Sequence, residues 1–180
     1  MKKIAILSIA GAVAFAVPAL ADGSSTTTPS AQKQCRTERS NMGRALFAAT
    51  YGTNADRSNA FGKCVSKRAR ATQQAEETAH ANAAKECSTE RAADPAAFKT
   101  KYGSNGSGAN AFGKCVSQKA SSKAKKEISK EIQADVNAAK SCKAERAADK
   151  SAFAEKYGTG RNAFGKCVSQ TAKARQSDTD

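Results

Sequence analysis

The sequence predicts an all-α protein of three disulfide-stapled helical repeats, joined by long shared helices into an elongated or zigzag array. Three observations predict it. An eight-residue block, Asn59 to Ser66, recurs unchanged from Asn110 to Ser117 and from Asn162 to Ser169. Each copy closes a unit that opens with another cysteine, and a period of about fifty residues marks an array of supersecondary units. Between units, Val65 to Ala93 and Val116 to Ala148 hold neither glycine nor proline and are dense in Ala, Lys, Glu and Gln. Both read as long helices.

The N-terminus stands apart. Lys2 and Lys3 precede an almost unbroken apolar run from Ile4 to Val17, then Pro18 and the small-x-small sequence Ala19-Leu20-Ala21. Residues 1–21 read as a secretory signal peptide, the run being too short to span a bilayer; a short membrane anchor is the rival reading. Residues 22–31 are small and polar and read as a disordered leader, with a composition that a glycosylated stalk would share. No second apolar segment follows, so a soluble protein of the exterior or the cell envelope is expected.

Repeat 1 (32–66), repeat 2 (87–117) and repeat 3 (142–171) follow one pattern: Cys-x-x-Glu-Arg, a gap, Phe-x-x-x-Tyr-Gly, a loop, then the block. Helical linkers fall at 67–86 and 118–141, and a polar tail at 172–180. Asp94 with Pro95 predicts a helix start, as N-cap and first helical residue; Asp149 serves in repeat 3, and Ser40 or Asn41 in repeat 1. Phe and Tyr at i and i+4 share one helical face. Gly52, Gly103 and Gly158 are expected to stop that helix in the left-handed conformation. Asn59, Asn110 and Asn162 would cap the next helix. Gly62, Gly113 and Gly165, inside its first turn, imply close approach of a neighbouring backbone, since glycine there costs about 1 kcal/mol against alanine. Every aromatic residue after the signal peptide lies in this pattern, so small cores inside the units are expected, with no single large one. Ile128, Ile132, Val136 and Ala139 fall on one side of the second linker helix; the first offers only a weaker stripe of Ala75, Ala79 and Ala83.

All six cysteines follow the signal peptide. An even count in an exported chain reads as disulfides. Zinc is the rival, but there is no CxxC pair and His80 is the only histidine. If Cys64 and Cys87 share one helix they stand roughly 34 Å apart, whereas a disulfide needs Cα atoms within about 7 Å. The pairing must then cross a unit, and the repeat favours Cys35–Cys64, Cys87–Cys115 and Cys142–Cys167. Each closes a loop of about 26–30 residues, worth roughly 3–4 kcal/mol.

The chain carries a formal net charge of +14. Cations follow each block: Lys67, Arg68 and Arg70; Lys119, Lys123, Lys125 and Lys126; Lys173 and Arg175. Lys63, Lys114 and Lys166 add one inside each first turn, where a cation opposes the helix dipole and so does not serve local stability. These twelve residues are the candidate anion-binding set. They suit anionic polymers such as wall polymers, acidic polysaccharides, nucleic acid or anionic lipid headgroups. The bland alternative is a solvated helical face, since Glu76, Glu77, Glu127 and Glu131 interrupt the positive field. The Glu-Arg pairs read as structural, with each Arg keeping Glu38, Glu90 or Glu145 ionised.

No catalytic or metal-site motif is present, and no cofactor is expected. The Tyr-Gly…Asn-Ala-Phe-Gly-Lys-Cys-Val-Ser pattern resembles one in predicted secreted proteins of bacteria, chiefly actinobacteria. The likeness covers residues 35–169 apart from the linkers, and implies no activity. A secreted, non-catalytic binding protein is the expected function. The alternatives are a structural or protein-interaction spacer, and a secreted inhibitor or toxin that binds a protein partner through its variable loops.

Overall fold

The computed structural model describes residues 28–177. The stretch read as a signal peptide and most of the one read as a leader lie outside them. The described chain is helical without strands: α1 (Ala31–Met42), α2 (Arg44–Tyr51), α3 (Ala60–Ala93), α4 (Pro95–Tyr102), α5 (Ala111–Ala148), α6 (Lys150–Tyr157) and α7 (Ala163–Ser177). Ala31, read as leader, is the first residue of α1, which Ser30 caps. No described helix is long and apolar enough to cross a membrane.

Both linkers are continuous helices, of 34 and 38 residues, because nothing in them breaks the backbone ladder. The disulfides are Cys35–Cys64, Cys87–Cys115 and Cys142–Cys167, with Cα separations of 6.0, 6.0 and 6.1 Å. All six cysteines are fully buried. Three such bridges belong to an oxidising compartment.

Of the elongated and zigzag arrangements expected, the chain takes the zigzag. α5 doubles back antiparallel along α3, and Ala79, Ala83, Ala120 and Ala124 are buried together between them. Alanines let two helix backbones approach closely over a long contact. The fold-back sets unit 1 beside unit 3 and leaves unit 2 alone at the far tip. Units 1 and 3 then share one core, which joins Phe47 and Tyr51 to Val136, Phe153, Phe164 and Val168. Unit 2 keeps a small core around Phe98, Tyr102 and its disulfide. The expectation of small cores confined to single units therefore holds only at the tip.

Local signals divide the same way. Asp94 and Asp149 cap α4 and α6 by accepting two backbone N–H bonds each. In unit 1 neither Ser40 nor Asn41 caps α2; Gly43, at φ +80°, joins α1 directly to it. Asn59 and Asn110 occupy N-cap positions without capping. Their side chains instead accept from the N–H of Thr53 and Ser104, closing the loop. Gly52 and Gly103 have negative φ, and Gly158 pairs φ +91° with ψ 167°, so none of the three takes the expected left-handed helical conformation. Crowding explains the first two, since a Cβ would lie 2.4 Å from Arg57 Cβ at Gly52 and 2.5 Å from Lys99 O at Gly103. Within the block only Gly165 meets a neighbouring backbone, Thr50 O at 2.8 Å from a built Cβ; Gly62 and Gly113 face open space.

Candidate anion-binding groove

The Glu-Arg pair is structural in all three units. Its glutamate accepts a hydrogen bond from the unit's tyrosine hydroxyl: Tyr51 to Glu38, Tyr102 to Glu90 at 3.1 Å, Tyr157 to Glu145 at 3.3 Å. Its arginine lies over the ring of the block's phenylalanine, Arg39 on Phe61, Arg91 on Phe112 and Arg146 on Phe164, at 5.6, 4.9 and 5.2 Å. The paired arginine is thus turned away from the glutamate it was expected to keep ionised.

Glu38 is instead held by Arg68, which reaches it from α3. Arg68 Nε donates to Glu38 Oε2 at 2.9 Å and Nη2 to Asp135 Oδ2 at 2.6 Å. Nη1 lies 3.0 Å from Glu131 Oε1, in ion-pair contact but off the line of a hydrogen bond. Lys67 also pairs with Asp135. Arg68 and Glu38 are wholly buried. Arg68 therefore leaves the anion-binding set, because a guanidinium sealed among three carboxylates offers solvent nothing. Burial raises the Glu38 carboxyl above its ordinary 4.5 despite Arg68. For Arg68, burial pulls downward, but Tyr51, Glu38, Asp135 and Glu131 outweigh it and its pKa is raised.

The remaining cations divide. Lys63, Lys67 and Arg70 line one hollow beside α3; Lys123, Lys126 and Lys130 line the next, of about 620 Å³, between α3 and α5. The two hollows share Ala71, Gln74 and Glu131 and form one open groove. Because α3 and α5 are antiparallel, Lys67 stands level with Asp135, and Glu86 near Lys119 and Lys123. On that register the six cations follow one another about every 5 Å for roughly 25 Å. Glu127 and Glu131 are the only carboxylates lining the two hollows, and Glu131 is already engaged by Arg68.

Other members lie elsewhere or are tied down. Lys119 pairs with Glu90 at 2.9 Å and Glu86 at 3.8 Å, and Lys123, though in the groove, also pairs with Glu86. Lys125 is half-buried outside the groove. Lys114 stays on unit 2, and Lys166 lines a separate hollow beside Thr50 and Gly52. Lys173 and Arg175 lie on α7, where Arg175 donates to Ser141 at 2.9 Å. Lys130 was missed by sequence reading although it extends the Lys123, Lys126 spacing along the same face. The trio Cys142, Glu145 and Cys167 clusters as metal ligands do, but the two sulfurs are bonded to each other and neither is a thiolate. Comparison with known proteins gives no match among family models, curated proteins or solved structures.

Proposed function

We propose that this is a secreted, non-catalytic binding protein that engages linear anionic polymers of the cell envelope or exterior along the α3–α5 groove. The observation that carries this reading is the run of six cations lining one continuous groove with two carboxylates among them. A rigid helical hairpin holds their spacing fixed, so successive charges of a linear partner are met without ordering a flexible loop. The signal-like N-terminus and the three disulfides support export. A chain that neutralises several phosphates should lose affinity steeply with added salt.

The test is retention of the oxidised protein on immobilised polyphosphate-type polymer, nucleic acid and a neutral glycan at low and high salt. Retention on the anionic surfaces alone, abolished by salt and weakened at least tenfold by joint Lys63→Ser, Arg70→Ser, Lys126→Ser and Lys130→Ser replacement, is expected. Absence of low-salt retention would overturn the reading. The charge would then serve only solubility.

A further inference from the structure

A hollow of about 630 Å³ opens where unit 1 meets unit 3. It is lined by Arg57, Arg146, Lys150 and Arg161 over Phe153 and Phe164, and by no carboxylate. None of the four cations makes an ion pair with an acidic side chain among the described residues. Arg57 comes from the α2–α3 loop of unit 1 and the other three from unit 3, so the hollow exists only because the hairpin brings these units together. Among the described residues unit 2 stands alone at the tip, with no second unit beside it to form such a junction.

Two local features set it apart from a chance gathering of surface charge. Arg57 adopts φ +59°, and the matching position of the equally long unit 2 loop is Gly108, at φ +65°. A left-handed arginine is a strained choice where glycine would serve, and such outliers concentrate at functional positions. The unit 3 loop is also the shortest. In units 1 and 2 the N–H of Thr53 and Ser104 is taken up by the side chain of Asn59 or Asn110. The matching N–H of Thr159, which lines the hollow, has no such bond to Asn162 and is free to donate.

We propose that this junction hollow binds a phosphate monoester, borne either by a small molecule or by the end of a polymer. Three guanidinium forks match phosphate geometry in pairs of parallel hydrogen bonds. Four cations without a counter-charge favour a group that carries close to two negative charges at neutral pH, which a monoester does and a lone carboxylate does not.

The oxidised protein titrated with phenyl phosphate, and with benzoate as a singly charged control, tests this. Amide resonances of Arg57, Thr159 and Gly160 should shift saturably with phenyl phosphate, and benzoate should bind at least tenfold more weakly. Arg57→Gly, which keeps the left-handed backbone, combined with Arg161→Ser should weaken phenyl phosphate at least tenfold. The groove variant Lys63→Ser with Arg70→Ser should leave that binding unchanged, so this proposal and the polymer reading fail separately. A polymer that competes only before its terminal phosphate is removed would support the hollow and identify chain ends as the source; competition by small esters alone would support it with free esters as the source. No saturable shift by ~10 mM ligand, equal binding by the Arg57→Gly, Arg161→Ser variant, or equal loss in the groove variant would overturn it.

Discussion

Four residues after the second cysteine stands Arg68 in unit 1, Lys119 in unit 2 and Thr171 in unit 3. In units 1 and 2 this side chain reaches the same target, the glutamate of the Glu-Arg pair. The surroundings differ. In unit 1, α5 packs against the pair and adds Asp135 and Glu131, so Arg68 and Glu38 are excluded from water. At the tip, Lys119 and Glu90 remain partly exposed. Desolvation raises the Glu38 carboxyl, whereas hydrogen bonds from Lys101 and Lys119 lower that of Glu90 to about 2. One motif thus yields opposite electrostatics, and the neighbouring unit, rather than the motif, decides which.

The largest expected effect breaks this comparison at its buried half. Arg68→Ala leaves three carboxylates facing one another without their shared cation and should cost about 3–5 kcal/mol, measured by urea denaturation of the oxidised protein. Lys119→Ala, which removes a partly exposed pair, should cost less than about 1 kcal/mol in the same assay. Equal losses would mean that burial is not what separates the units.

Next comes the glycine of the repeated block. Gly165→Ala drives a methyl group against Thr50 O and should cost about 1–3 kcal/mol. Gly113→Ala, with open space before it, should instead stabilise by up to about 1 kcal/mol through helix propensity. Paired thermal melts would show whether the two identical blocks differ in sign.

The smallest effect lies in acid. The folded-state pKa of Glu38 is raised, so its contribution to stability is fully present below the ordinary 4.5 and is lost as pH rises through the folded value. Glu90 has the reverse sign: its contribution is present above 4.5 and is lost as pH falls toward about 2. In denaturation curves taken from neutral pH down to that range, Glu38→Gln should remove a gain on acidification and Glu90→Gln a loss. Matching pH profiles for the two variants would contradict the contrast.

The sequence carried the local architecture well, because helix length and cysteine geometry are set within a few turns of chain. Two helices without glycine or proline, the distance between Cys64 and Cys87 along one of them, and the repeat itself were enough to place all three bridges. It did not carry the fold-back. The seam consists of Ala79, Ala83, Ala120 and Ala124, a pattern too weakly apolar to stand out in an alanine-rich chain, although small side chains are what such a close helix pair needs. Nor did it separate Arg68 from Lys67 and Arg70. Adjacent helical positions point about 100° apart, and only α1 and α5 determine which one is enclosed. Arg57 was not singled out for a related reason: the hollow it lines is built mostly by unit 3, about a hundred residues further along the chain.

The long shared helices impose a parity on this architecture. Each turn through a unit reverses the direction of travel, so the first and third units share one edge of the hairpin and the second lies on the other. A fourth unit appended in the same way would arrive beside the second, cover the tip and create another inter-unit junction there. Lengthening the chain would thus alternate between the two edges, concertina-fashion, and each added unit would find its neighbour two repeats back rather than one.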